Sequence, residues 1–300
     1  MTNKVMSIAK KLELLIVSAC LVWQPAVGQR KVDRVRQGSS FEKLVDVGGR
    51  RLYVRCSGEA RKRGPTVVMD AGMGNTSDTW SLVQPKVAQF ARACAYDRAG
   101  LGKSDRAPQT HTSQDMVDDL HNLLSKAGIN APYVLVGHSL GGMNVRLYAS
   151  KYPKEVSGIV LVDSTHEDEN DRMLALLPPE MLKNAKPEDL IIRTAEDVDF
   201  NRSIAQVRAA NWHRDIPLVV LTRGSATLNP NDYAVPSLAP KFEQLRLELQ
   251  KELVSRSSRG RQIIAEKSGH NIHRDQPELV VAAIRQVVRE ANHRIERVGM

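Results

Sequence analysis

From residue 42 onward, apolar and polar positions fall into short runs separated by Gly- and Pro-containing punctuation, and their periods predict an order of elements. Residues 42–47 read as a strand, Gly48-Gly49 as a tight turn, and residues 51–56 as a returning strand with Leu52, Val54 and Cys56 on one face. Residues 65–70 form a continuous apolar strand that ends in Ala71-Gly72-Met73-Gly74. Helical spacing over 80–91 leads to a strand at 93–97 and then to Arg98-Ala99-Gly100-Leu101-Gly102. A helix over 113–127, a strand over 133–137, a helix over 141–151 and a strand over 156–163 follow. Such alternation implies parallel strands joined by helical crossovers, so the expected class is α/β.

The pattern changes between 164 and 215. This stretch is charged, carries Pro178-Pro179 and Pro187, and has a helical piece over 200–210 but no strand signal, which predicts an inserted helical cap. Alternation then resumes with a strand at 217–222, an amphipathic helix at 241–256, a last strand at 262–266 and a closing helix at 278–292. The expected organisation is one domain over 29–300, with its core at 42–163 and 216–292 and the cap at 164–215.

An apolar content of 42% over 300 residues is enough for a full core, and with aromatics at only 4% the apolar mass is Val, Leu, Ile and Ala, as a buried parallel sheet requires. The net charge of +9 is scattered as single Lys and Arg residues among Asp and Glu. Without a dense basic run or interleaved aromatics it argues against nucleic-acid binding and reads as a solvated basic surface.

At the N-terminus Lys4, Lys10 and Lys11 precede an apolar stretch over 12–23, Pro25 breaks it, and Ala26-Val27-Gly28 supplies small residues before Gln29. This predicts a cleaved signal peptide over 1–28 and an exported protein, periplasmic or secreted. A second possibility is a lipoprotein anchor at Cys20, within Val17-Ser18-Ala19-Cys20. Membrane contact is expected only with that lipidation or with an uncleaved signal.

The chemistry begins with Gly137-His138-Ser139-Leu140-Gly141, a G-x-S-x-G between a predicted strand and a predicted helix. A sharp strand-to-helix turn strains the Ser and lifts its hydroxyl above the sheet, and Gly on either side lets the backbones approach. Ser139 is therefore the candidate nucleophile. A hydroxyl needs a base, and Ser268-Gly269-His270 after the last strand supplies one, His270, in the chain order this fold uses. His273 is read as a surface residue past the loop tip, and His138 as a packing or turn residue.

Residues 44–288 resemble the α/β-hydrolase superfamily, particularly its small esterases, prolyl aminopeptidase-like enzymes and epoxide hydrolases. Five motifs in order carry the resemblance: Asp70-Ala71-Gly72-Met73-Gly74, Tyr96 through Asp105 (YDRAGLGKSD), Gly137 through Gly142, Leu161-Val162-Asp163-Ser164 and Ser268-Gly269-His270. The resemblance implies a mostly parallel eight-stranded sheet flanked by helices, with the cap inserted after strand 6. An epoxide hydrolase or dehalogenase would need Asp where this chain has Ser139. The triad acid is placed at Asp163, after the sixth strand as in some relatives, with Asp232 after the seventh as the alternative. The backbone N–H groups of Met73 and Leu140 are the implied oxyanion donors. Ala71-Gly72 stands where the family commonly has His-Gly, so a side-chain orienter is missing. The turn at Asp97-Arg98 is given a structural role. The second strand is expected beside the fourth, which makes Cys56 and Cys94 neighbours and candidates for a disulfide.

These readings together predict hydrolysis of a small-molecule carboxylic ester through an acyl-enzyme, with no cofactor and no metal. The alternatives are an amidase or prolyl-type aminopeptidase, and a non-catalytic binder built on the same fold.

Overall fold

The alternation along the apolar strands becomes the two covered faces of one sheet in the computed structural model, which describes residues 40–60, 64–182, 196–210, 212–224 and 235–298. The strands are β1 Phe41–Asp46, β2 Arg51–Ser57, β3 Thr66–Asp70, β4 Ala93–Tyr96, β5 Tyr133–His138, β6 Val156–Val162, β7 Leu218–Arg223 and β8 Gly260–Ala265. They lie in the order β1-β2-β4-β3-β5-β6-β7-β8. β2 runs antiparallel to both of its neighbours, and from β4 to β8 every pairing is parallel. The predicted α/β class and the eight-stranded, mostly parallel sheet are what the chain forms.

Period-two alternation sorts the strand residues. Val67 and Met69, Val134 and Val136, Val160 and Val162, and Val219 and Leu221 enter one core, with Trp80 and Ile284. Val68, Leu135, Ile159, Leu161, Leu218 and Val220 enter the other, where Leu52, Val54 and Cys56 join them as the alternation of β2 predicted. Both faces are covered, so these strands read as unbroken apolar runs. The first core is closed by the long helix Pro277–Val298, the second by α1 (Ser113–Ala127), α2 (Leu140–Lys151) and α3 (Phe200–Ala210). α1 begins with a Thr112–Asp115 capping box and ends at Gly128, whose φ of 70° is the left-handed cap.

One expected element differs. In place of a helix over 80–91 there is a 3₁₀ turn, Ser77–Trp80, capped by Thr76, and a separate helical turn, Gln84–Val87. Pro85 has no N–H to continue a helix from the preceding turn, so the chain stops and restarts there.

Between β6 and β7 the described residues form the helices Glu169–Leu174, Pro179–Leu182 and α3. Just before α3 this stretch is tied back to the body of the protein. Val198 bridges His111, with His111 N–H donating to Asp197 O at 2.8 Å and Asp199 N–H to His111 O at 2.7 Å.

Cys56 of β2 and Cys94 of β4 are direct register partners with Cα atoms 4.1 Å apart, and they form a disulfide. The pairing implied by the family resemblance is therefore present. The expected leader over 1–28, including Cys20, lies outside the described residues, and among those residues no helix is long and apolar enough to cross a membrane.

Candidate active site

The parallel register aligns three strand ends. Asp70 pairs with Gly137, and Gly137 with Leu161, so the residues that follow β3, β5 and β6 emerge side by side at the carboxyl edge of the sheet. Ligands of open α/β sheets sit at that edge.

At the end of β5 the chain turns directly into α2. Ser139 takes φ 53° and ψ −120°, a conformation costly for a residue with a side chain. The turn closes only because its neighbours lack side chains. A Cβ on Gly137 would stand 2.4 Å from the carbonyl oxygen of Gly141, and a Cβ on Gly141 would stand 2.4 Å from that of Asp70. Ser139 O accepts from Gly142 N–H at 2.9 Å and from Thr165 N–H at 3.2 Å, which pins the bend to the loop after β6. Leu140 occupies the first position of α2, where an amide has no partner within the helix and lies in the positive end of its dipole.

His270 follows β8 and is held by a carboxylate. Its Nδ1 donates to Asp163 Oδ2 at 2.7 Å, leaving Nε2 as the basic nitrogen. Asp163 sits at φ 42° immediately after β6 and is 4% exposed. Its other oxygen, Oδ1, accepts from Arg223 N–H at 3.1 Å and from Arg246 Nη1 at 3.2 Å. Burial raises the pKa of this carboxyl, but the His270 hydrogen bond and the Arg223 and Arg246 guanidinium groups outweigh it, and the group is held well below the usual carboxylate range. Asp163 is thus the carboxylate that faces His270. Asp232, the alternative, lies outside the described residues.

The loop after β3 carries Met73, half-buried at the mouth of the site. Beneath the loop, Arg98 directs all five guanidinium N–H bonds at acceptors. Nη1 donates to Asp70 Oδ1 and to Ala71 O, both at 2.6 Å, and Nη2 to Gly72 O at 2.6 Å and Glu196 Oε1 at 3.0 Å. Nε donates to Glu196 Oε2 at 2.7 Å. Glu196 Oε1 also accepts from Gly74 N–H at 2.6 Å. Desolvation opposes the Arg98 cation, yet Glu196 and Asp70 together raise its pKa above that of a free guanidinium.

The remaining imidazoles require one correction. His273, expected at the surface, is fully buried. It sits in the helical turn Ile272–Asp275, whose inward side packs it against Trp80 and His138 at ring-centroid distances of 5.2 and 4.5 Å. Burial first, then neighbouring His270 and Arg274, push its pKa down to about 3, so it is neutral. His138 is buried, as a packing role requires, and its Nε2 donates to the carbonyl oxygen of His270 at 3.0 Å. It bears on both the backbone and the ring of His270, the two ring centroids lying 4.6 Å apart.

Sequence reasoning missed Arg246 and Glu196. Arg246 left a trace, since it lies on the same helical stripe as Phe242, Leu249 and Leu253, where a charge must have a buried partner. Glu196 left none.

The cleft above Ser139 and His270 is lined by Met73, Leu140 and Phe200 on its apolar side and by Asn75, Thr165 and Asn271 on its polar side. The model of the α/β-hydrolase fold matches residues 65–283. The chain belongs to the α/β-hydrolase family. The protein YqjL of Bacillus subtilis (strain 168) is 31% identical over 227 residues, spanning 75% of this chain and 83% of its own length. Among solved structures, a thermophilic esterase from Thermogutta terrifontis covers 85% of this α/β-hydrolase and all of its own chain, with a TM-score of 0.56 and 19% identity. Est816, described as an N-acyl homoserine lactone degrading enzyme, covers 82% of this chain and all of its own, with a TM-score of 0.61 and 15% identity. At those identities the two structures speak for the fold, and family membership makes the protein a hydrolase.

Proposed function

We propose that this hydrolase cleaves carboxylic esters through an acyl-enzyme formed on Ser139. The observation that carries the reading is the Asp163–His270 pair beside a serine held in a strained backbone conformation on a strand-to-helix turn. His270 Nε2 takes the Ser139 proton as Oγ attacks the ester carbonyl. The tetrahedral oxyanion is met by the N–H groups of Leu140 and Met73. Collapse of this intermediate expels the alcohol, which takes the proton from His270, and a water activated by the same imidazole then releases the acid. Asp163 fixes the Nδ1–H tautomer and stabilises the imidazolium, without itself taking the proton.

The walls of the cleft favour a neutral substrate. The lining holds no Asp, Glu, Lys or Arg and mixes apolar groups with amides and hydroxyls beside the two imidazoles, which suits an acyl chain next to a polar ester. A lactone is a cyclic carboxylic ester, so the activity in the description of Est816 falls within the proposed class. Thr165 and Phe200, both within 164–215, line the cleft, which supports a cap role for that segment.

We further propose export, with residues 1–28 as the leader; the Cys56–Cys94 disulfide supports an oxidising compartment. Detection of the chain in the periplasm or medium, beginning at Gln29, tests this. A membrane-bound form labelled by palmitate at Cys20 would replace it with the lipoprotein route.

Turnover of a p-nitrophenyl ester series is compared with that of proline p-nitroanilide, and a fluorophosphonate probe is applied to wild type and Ser139→Ala. Ester turnover above anilide turnover, with labelling abolished in Ser139→Ala, is expected. Faster anilide cleavage would make the protein an amidase. A folded wild type that neither labels nor turns over would make it a binder.

A further inference from the structure

We infer that Glu196, acting with Arg98, is a positioning residue for the oxyanion donor at Met73, so that the inserted segment between β6 and β7 completes the catalytic loop. The inference rests on the acyl-enzyme reading above and extends it to residues that touch neither Ser139 nor His270.

The argument starts from one peptide plane. The Met73 N–H and the Gly72 carbonyl belong to the same trans peptide unit and point in opposite directions. Arg98 Nη2 holds Gly72 O at 2.6 Å, which turns the Met73 N–H away from the guanidinium, and Met73 lines the cleft. The preceding carbonyl, Ala71 O, is held by the same side chain at 2.6 Å, and the following amide, Gly74 N–H, is held by Glu196 Oε1 at 2.6 Å. The donor is thereby fixed on both sides. A cation bonded to the carbonyl also polarises the amide, which makes its N–H a stronger donor.

Arg98 cannot hold this arrangement alone. Its guanidinium is 3% exposed, and Asp70 meets only one of its N–H groups. Glu196, whose side chain is fully buried, takes two more and sets the plane of the fork. Glu196 is itself placed by its own chain, because the neighbouring Asp197 and Asp199 are paired to His111.

The test uses the full chain and the p-nitrophenyl ester that wild type hydrolyses best. Removing an oxyanion donor outright costs about 10²–10³ in kcat, and a misaimed donor costs part of that. Glu196→Gln keeps the shape and weakens the fork, so kcat is expected to fall about tenfold with KM within twofold; Glu196→Ala and Arg98→Lys are expected to fall about a hundredfold. Affinity for an aryl boronic acid, whose tetrahedral adduct on Ser139 places an anionic oxygen in the same hole, should fall in parallel with kcat/KM. Folded Glu196 variants with wild-type kcat, or with reduced kcat and unchanged boronate affinity, would overturn the inference. Should the variants not fold, amide exchange in wild type decides: Gly74 N–H must be protected, and rapid exchange there overturns it. A wild type that turns over no ester and takes no fluorophosphonate label sinks the acyl-enzyme reading itself, a distinct result.

Discussion

Replacing Arg246 with Met takes the charge from beneath the candidate triad acid and leaves a side chain of similar length. Arg246 Nη1 lies 3.2 Å from Asp163 Oδ1, a gross attraction of about 5 kcal/mol at an effective dielectric constant near 20. The Arg223 guanidinium, 3.8 Å from Oδ2, remains and supplies about 4 kcal/mol on the same scale. Arg246 also bonds Glu243 through Nη2 at 2.5 Å, so two buried carboxylates lose a partner at once. Breaking a buried pair costs about 3–5 kcal/mol, and with Arg223 still present the lower end, about 3 kcal/mol near pH 7, is expected. The pH dependence is the sharper test. In wild type the folded pKa of Asp163 lies below its unfolded value of about 3.9, so its stabilising effect is complete above that value and is lost as pH falls through the folded pKa. In Arg246→Met the folded pKa rises, and acid removes less stability from the variant than from wild type. The gap between them should therefore keep its full size from neutrality down to the folded pKa of the variant and shrink only below it. Urea unfolding followed by circular dichroism from pH 7 down to about pH 2 reads it, as a midpoint about 1 M lower at pH 7 and a smaller difference at the acid end. Glu243→Gln in both backgrounds isolates the contribution of Asp163. A gap of equal size over that whole range, with or without Glu243, would refute the electrostatic reasoning and leave Arg246 as packing.

Asp163→Asn keeps the shape of the side chain but presents an amide to His270; a kcat loss of about 10³–10⁴ is expected in the ester assay, against almost none for Asp232→Asn. His273 is buried neutral with a pKa of about 3, below its unfolded value near 6.5, so the unfolded chain binds its proton first as pH drops; stability conferred by the neutral ring is complete above pH 6.5 and fades between 6.5 and 3, and His273→Gln should flatten that part of the stability–pH curve. Opening the Cys56–Cys94 bridge, which spans 38 residues, should cost about 3–4 kcal/mol, read as a lower thermal midpoint for Cys56→Ala/Cys94→Ala with ester turnover retained. Gly141→Ala drives a Cβ into the carbonyl oxygens of Asp70 and Ala71, and both thermal stability and fluorophosphonate labelling should be lost.

What the chain revealed in advance follows the range over which each feature is encoded. The bend at Ser139 was legible because its cause is local: glycines two residues to either side make the backbone contacts possible. The sheet was legible because period-two burial repeats in every strand. Asp163 was pointed to only by resemblance to relatives whose acid follows the sixth strand, and the imidazole it bonds lies 107 residues away. The Arg98–Glu196 pair, 98 residues apart, had no local correlate, since a Glu at the end of a charged insertion looks like any solvated residue. His273 was misread because a turn of four residues carries no periodicity to show which side faces in. The break at Pro85 was written in the chain, and the helical spacing around it concealed it.

The buried arginines give the site a common construction. At the carboxyl edge the chain leaves the regular ladder of the sheet for loops, strand ends and first helical turns, whose carbonyls take other donors. Arg98 takes Ala71 O and Gly72 O; Arg146 takes Gly142 O and Thr165 O; Arg246 takes Arg223 O and the Asp163 carboxylate. Each of the three is also paired with a buried Glu, respectively Glu196, Glu167 and Glu243, so no cation is left uncompensated. A planar fork can bind two carbonyls and a carboxylate at once, and a lysine cannot. Electrostatic catalysis requires donors and acceptors already aimed before the substrate arrives, and here one guanidinium stands behind the loop proposed to hold the oxyanion, one behind the bend at Ser139 and one behind the candidate acid. Lysine at any of the three positions should consequently depress turnover more than stability, because charge survives the exchange while the aim of the loop does not.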